Sequence, residues 1–336
     1  MKKIANKRID WLDTLRGLAM FFVIWGHAFP TNKGLVRKII YSFHMPIFFL
    51  ISGITFKEDD LSTKEFITKK IKNLVVPYFI INIISYILFF ILFKLGIIDN
   101  FDPLNWFFGI FYAHDEVFTI PCGPSWFLLV LFLVEVLFYY FKKIFDNDGI
   151  LGIAISVCGL ISYVNSLSEY QVYTPWHLEA VLTGIVFYYI GYLISKNINV
   201  FDMLLKNKFK SFCLGLLLGV IGVICAYFNR RVSMHANLYG SITLFYIGSL
   251  AIIFGLIIFV RLFMKKSLFF KNIGKRTLFY LAYHFPFVYI IKHFIENAQK
   301  GNINILITAI CISIIFYPFA FLSYKYAPIL CGKIKS

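Results

Sequence analysis

The stretch RIDWLDTLRGLAMFFVIWGHAFP, residues 8–30, decides how the chain is read. It is long enough to cross a bilayer, at about 20 residues of 1.5 Å rise each, yet Asp10, Asp13, Arg16 and His27 are written into it. Arg16 and His27 are eleven residues apart, so on a helix turning about 100° per residue they share one face, about 16 Å apart in height. Asp13, three residues before Arg16, is within reach of an ion pair. Ionisable groups inside a membrane are costly and mark functional sites, and this helix sets several along one stripe. Snorkelling to the interface would account for Asp10, Asp13 and Arg16, but not for His27 at the far end.

The rest of the composition places this helix in a membrane. Of the 336 residues, 60% are hydrophobic and only 15% charged, whereas a soluble exterior needs roughly 25% charged residues. The chain therefore reads as an all-α, polytopic protein of the cell membrane, partnered by the lipid bilayer. Its formal charge of +16 does not indicate nucleic acid, because the Lys and Arg residues fall in short connections between apolar runs. The six cysteines are dispersed, with no Cys-x-x-Cys pair and no Cys/His spacing, so no metal is expected. Charges inside the first apolar run and the lack of a small-residue cleavage site argue that it is retained rather than cleaved as a signal peptide.

About ten apolar segments of spanning length follow one another, at 9–29, 39–56, 75–97, 125–145, 149–166, 177–195, 210–228, 240–262, 277–297 and 302–324. Most of the 33 Lys and Arg lie on the side of the N-terminus when alternate loops are compared, which predicts that both termini are cytoplasmic. Only Asp146, Asn147, Asp148 and Gly149 separate the fourth segment from the fifth. No internal repeat or appended soluble domain interrupts the chain, and residues 1–336 read as one membrane domain. Two connections stand out: an acidic and aromatic outer loop from Gly96 to Pro124, and a cytoplasmic loop from Lys57 to Asn73 carrying Lys69, Lys70 and Lys72.

With that orientation, polar groups can be placed by height. His27 and His44 fall near the outer ends of two antiparallel neighbours and are expected to share a cavity. Glu135 falls near mid-membrane. His177 and Glu179 open the sixth segment from outside and, two residues apart, are expected to face different sides. His284 falls about seven residues into the ninth segment from the cytoplasm, roughly level with Arg16. Each has an ordinary structural role available: a helix-bridging contact for Glu135, an interfacial one for His177 and Glu179, and for His284 a bond to the carbonyls that Pro286 frees. His27, on the Arg16 stripe and facing a second histidine, favours function.

The motifs IDWLDTLRGLAMFFVIWGHAF, SFHMPIFFLISGITF, the basic run before LVVPY, WFLLVLFLVE and IGKRTLFYLAYH occur in that order. Together they resemble the family 3 integral-membrane acyltransferases, and within them the fucose-4-O-acetylase-like branch. The resemblance places the family's first-motif histidine on His27, its helix-1 arginine on Arg16 and its second-motif histidine on His44. Many members carry an Arg-x-x-Arg pair before the third span. Here those positions read Lys70 and Asn73, which removes a bidentate phosphate grip and leaves point charges.

The resemblance implies transfer of an acetyl group from cytoplasmic acetyl-CoA to a hydroxyl of a carbohydrate on the outer side, either a surface polysaccharide or a lipid-linked sugar. His27 would be the general base, with His44 assisting, or it would carry an acyl-histidine intermediate. Arg16, Lys69, Lys70 and Lys72 would seat the coenzyme, with Asp13, Glu135, Glu179 and His284 in support. Two other classes are carried forward. A proton-coupled transporter would use Arg16, Glu135 and the histidines as a relay, and a non-catalytic scaffold of a polysaccharide assembly complex would tolerate loss of His27.

Overall fold

The computed structural model describes residues 9–30, 34–57, 61–168, 172–295 and 300–331. These residues build an all-helical bundle, with no strand among them. In chain order the helices are α1 (Asp10–Ala28), α2 (Leu35–Phe43), α3 (Pro46–Ile54), α4 (Thr63–Lys70), α5 (Val76–Lys94), α6 (Pro103–Tyr112), α7 (Trp126–Ile144) and α8 (Asp148–Leu167). They continue as α9 (Leu178–Lys196), α10 (Ile198–Leu204), α11 (Lys208–Phe228), α12 (Ile242–Phe259), α13 (Leu268–Gly274), α14 (Thr277–Phe294) and α15 (Asn302–Tyr326).

Eight helical stretches among the described residues are long and apolar enough to cross a membrane: 35–54, 63–94, 123–144, 148–167, 175–196, 208–228, 242–264 and 302–326. The two expected segments outside this set are α1, of 19 residues, and α14, of 18, whose charged and histidine side chains make them more polar. All ten segments are thus helical, but eight rather than ten have the hydropathy of a span. The connection after the fourth segment is a true break. Asn147 caps α8 by accepting from the backbone N–H of Gly149 (2.7 Å) and Ile150 (3.2 Å).

α1 is a core helix, with Leu15, Ala19, Ile24 and Ala28 fully buried. It lies backbone to backbone on α13. A Cβ added at Gly17 would sit 1.9 Å from the Phe270 carbonyl oxygen, and one at Gly274 would sit 1.8 Å from that of Asp13. Small residues permit this approach, as they do between membrane helices generally. The contact also fixes heights, because Gly17 and Gly274 become level and each is followed ten residues later by a histidine.

The observed helices depart from the expected segments and connections at several places. The expected span at 39–56 starts earlier and is broken at His44–Met45 into α2 and α3. Pro46 has no N–H for the Ser42 carbonyl, which instead accepts from the Ser249 hydroxyl on α12. The expected loop Lys57 to Asn73 is largely helix: Ser62 and Glu65 form a capping box that starts α4, and a π turn over Ile71–Val75 joins α4 to α5 ahead of Pro77. The segment Gly96 to Pro124 contains α6, whose first turn is capped by the Asp102 carboxylate.

Candidate active site

His27 is half-buried near the end of α1 and lines a cavity of about 210 Å³ with Arg37, Tyr41, Phe285, Tyr289 and Lys292. The Phe285, Tyr289 and Lys292 wall is shared with a larger cavity of about 760 Å³, which adds Trp106, Asp99, Asp115 and His235. The Asp115 Oδ1 accepts from the Ile120 N–H at 3.1 Å. Burial pushes its carboxyl up to about 7, so near neutral pH it can offer a hydroxyl donor as well as an acceptor.

His284 joins this end of the bundle, and its expected level with Arg16 is corrected. Its ring centroid is 5.2 Å from that of His27. Height counted from the start of α14 misplaces it, because α13 has already carried the chain up to the level of Gly17. The Nδ1 of His284 lies 2.7 Å from the Tyr280 carbonyl, which can only accept, so in the neutral ring Nδ1 bears the proton and Nε2 the lone pair. That Nε2 is buried with no hydrogen-bond partner among the described residues.

His44 is held in the same way, with Nδ1 donating to the Ile40 carbonyl at 2.9 Å. It does not share the His27 cavity as expected. Tyr41 stands at the cavity wall, its ring 6.2 Å from His27 and 4.7 Å from His44, and His44 is buried outside the lining.

At the other end of α1, Asp13, Arg16, Lys69, Lys70 and Glu135 line a polar cavity of about 570 Å³. Arg16 Nη1 is 3.3 Å from Asp13 Oδ1, and Lys70 Nζ is 2.9 Å from Glu135 Oε2. Glu135 therefore bridges to the lysine at the end of α4. Lys72 is exposed and outside this lining.

His177 and Glu179 do not face apart. Trp176 (φ 62°) and His177 (φ 52°) both adopt left-handed backbone ahead of α9, so helical spacing does not apply to the pair. His177 Nδ1 lies 3.4 Å from Glu179 Oε1, and that oxygen accepts from His114 Nε2 at 2.9 Å, while Glu179 Oε2 accepts from the Thr174 hydroxyl. The rings of His114 and His177 stack at 3.9 Å with 27° between planes. One ligand atom from each of His114, His177 and Glu179 lies within 4.8 Å of the others, a spacing at which the three could hold a metal ion. The His114–Glu179 hydrogen bond ties the segment after α6 to the start of α9.

The geometry thus sets an exposed basic cavity and a histidine cavity at opposite ends of one buried helix. A family model described as an acyltransferase domain matches residues 9–325. The chain belongs to the family 3 acyltransferases. A search of curated proteins finds no significant relative. In this acyltransferase the residues that sequence reasoning passed over are Arg37 and Tyr41, which line the His27 cavity, and His114, which holds Glu179. Arg37 had a legible signal, lying with Tyr41 one turn apart and just before the second motif. His114 had none, since it meets Glu179 across 65 residues.

Proposed function

We propose that this acyltransferase moves an acetyl group from cytoplasmic acetyl-CoA to a hydroxyl of a cell-surface carbohydrate on the opposite side of the cell membrane, as in the fucose-4-O-acetylase-like branch. The observation that carries the reading is the placement of Arg16 and His27 in separate polar cavities at the two ends of α1. Arg16, Lys69 and Lys70 offer cations to the coenzyme's phosphates, and its long pantetheine arm would carry the thioester along α1 towards His27. The large cavity beside His27 suits a sugar: Trp106, Phe285 and Tyr289 offer apolar faces, and Asp99 and Asp115 offer groups for hydroxyls.

The step balances with one base. His27 takes the proton of the acceptor hydroxyl, and the oxygen attacks the thioester carbonyl. The resulting tetrahedral adduct expels the coenzyme thiolate, and the proton on His27 returns to that sulfur. His284 Nε2, an acceptor fixed by the Tyr280 carbonyl, would hold the His27 ring through its second nitrogen and stabilise the imidazolium. Lys292 and Arg37, which line this cavity, would offer positive charge to the developing oxyanion.

Two measurements test this reading. Deleting the protein should remove base-labile O-acetyl groups from the surface glycan, and unchanged acetyl content would refute the function. For the orientation, a cysteine at position 115 should label in intact cells and one at position 70 only after permeabilisation. Labelling of both from the same side would overturn the proposed cytoplasmic termini.

A further inference from the structure

α2 and α11 bound two more cavities, stacked one above the other. The lower is an apolar groove of about 460 Å³ between Val36, Ile39 and Phe43 on α2 and Gly215, Gly219 and Val223 on α11. The upper, of about 400 Å³, is lined by Arg37, Lys38, Tyr41, Tyr227 and Arg231. Residues 215, 219, 223 and 227 recur every four positions and so form one stripe along α11, with Arg231 just past its end. From Gly215 to Tyr227 the stripe runs about 18 Å, over half of a hydrocarbon core of about 30 Å. Val223 (40% exposed) and Phe259 (45%) leave the groove open to the side, where lipid would lie.

The upper cavity has the chemistry of an anion site. Arg37 is only 8% exposed, its Nε is buried without a hydrogen-bond partner among the described residues, and its guanidinium lies 3.6 Å from the Tyr41 ring centroid. Lys38 Nζ is anchored on the Tyr227 carbonyl at 2.9 Å, beside Arg231. Among the described residues no carboxylate forms an ion pair with any of the three cations. A buried cation without a counter-charge is costly, and a phosphate would relieve it. Arg37 and Tyr41 also line the His27 cavity, so a group attached beyond that phosphate would enter the active site.

We propose that α2 and α11 bind a single-tailed phosphate lipid of the polyisoprenyl type that carries the acceptor sugar, with its phosphate among Arg37, Lys38 and Arg231 and its tail in the groove. The inference rests on the carbohydrate-acetylation reading and narrows its acceptor to a membrane-borne carrier. One groove receives one chain, which favours this carrier over a two-chain phospholipid. A bilayer phospholipid seated there would also place a headgroup with no reacting hydroxyl against His27.

The test uses the full-length protein in lipid nanodiscs and a polyisoprenyl phosphate with a photoreactive group in its tail. Crosslinks are expected within residues 215–227, displaced by unlabelled polyisoprenyl phosphate but not by equal concentrations of phosphatidylglycerol or inorganic phosphate. Gly219→Leu should cut labelling at least tenfold with acetyl-CoA binding unchanged. A Cβ at Gly219 meets no atom within 4 Å, so the new side chain fills the groove without forcing the helices apart. Arg37→Gln with Arg231→Gln should cut labelling similarly. Equal displacement by phosphatidylglycerol would make this an ordinary lipid site. Displacement by inorganic phosphate would reduce it to an anion pocket, and undiminished labelling of Gly219→Leu would remove the groove; each overturns the proposal. Its failure is separable from that of the wider reading: O-acetyl groups that still depend on the protein, with no carrier labelling, sink the carrier alone.

Discussion

His27→Ala is expected to lower acetyl transfer by about 10²- to 10⁴-fold, the range typical for loss of a general base, with little change in folding. The ring is half-buried at a cavity wall, so its removal leaves the close backbone contact between α1 and α13 untouched. His44→Ala should cost less, because His44 stands outside the cavity with its Nδ1 committed to Ile40. His284→Ala should fall between them if the Nε2 of His284 orients His27 rather than touching substrate. The measurement is transfer of labelled acetyl from acetyl-CoA to glycan in membranes, with protein level and monodispersity followed alongside. A folded His27→Ala variant with full activity would take this residue out of the mechanism.

The helices were largely legible because lipid imposes a simple rule: long apolar runs must be helical, so composition alone locates them. What the sequence could not show was the depth at which each run enters the bundle. His284 was misplaced because α13 looked like a connecting segment, and only the Gly17–Gly274 contact reveals that it already lies beside α1. His177 and Glu179 were read with helical spacing that two left-handed residues cancel, and left-handed backbone at Trp and His has no sequence signature. Ser62 and Glu65, by contrast, did carry a readable capping box, so α4 and the placement of Lys69 and Lys70 on a helix were within reach of the sequence. The pairing of His27 with Arg16 along α1 needed only helical periodicity, and it is the part of the site that the sequence conveyed best.

The cavity proposed for the coenzyme separates three lysines that the sequence grouped together, and this makes a sharp second prediction. Lys69→Ala with Lys70→Ala should raise the KM for acetyl-CoA by about a hundredfold or more, because each charge-assisted contact to a phosphate is worth about 1.5–3 kcal/mol, two are lost, and about 1.4 kcal/mol corresponds to a tenfold change. The KM for the acceptor should stay near its wild-type value, and the effect should be largest at low ionic strength, where exposed charges are least screened. Lys70 also neutralises the buried Glu135 at 2.9 Å, so its removal alone leaves an uncompensated carboxylate and destabilises the fold. Lys70→Gln combined with Glu135→Gln removes both charges of the pair. It should restore thermal stability while leaving the donor KM raised, which distinguishes coenzyme binding from a purely structural ion pair. Lys72→Ala, exposed and outside the cavity, should leave the donor KM unchanged. If Lys72→Ala matched the double variant, or if the folded double variant bound acetyl-CoA normally, the coenzyme would sit elsewhere than between Arg16 and the end of α4.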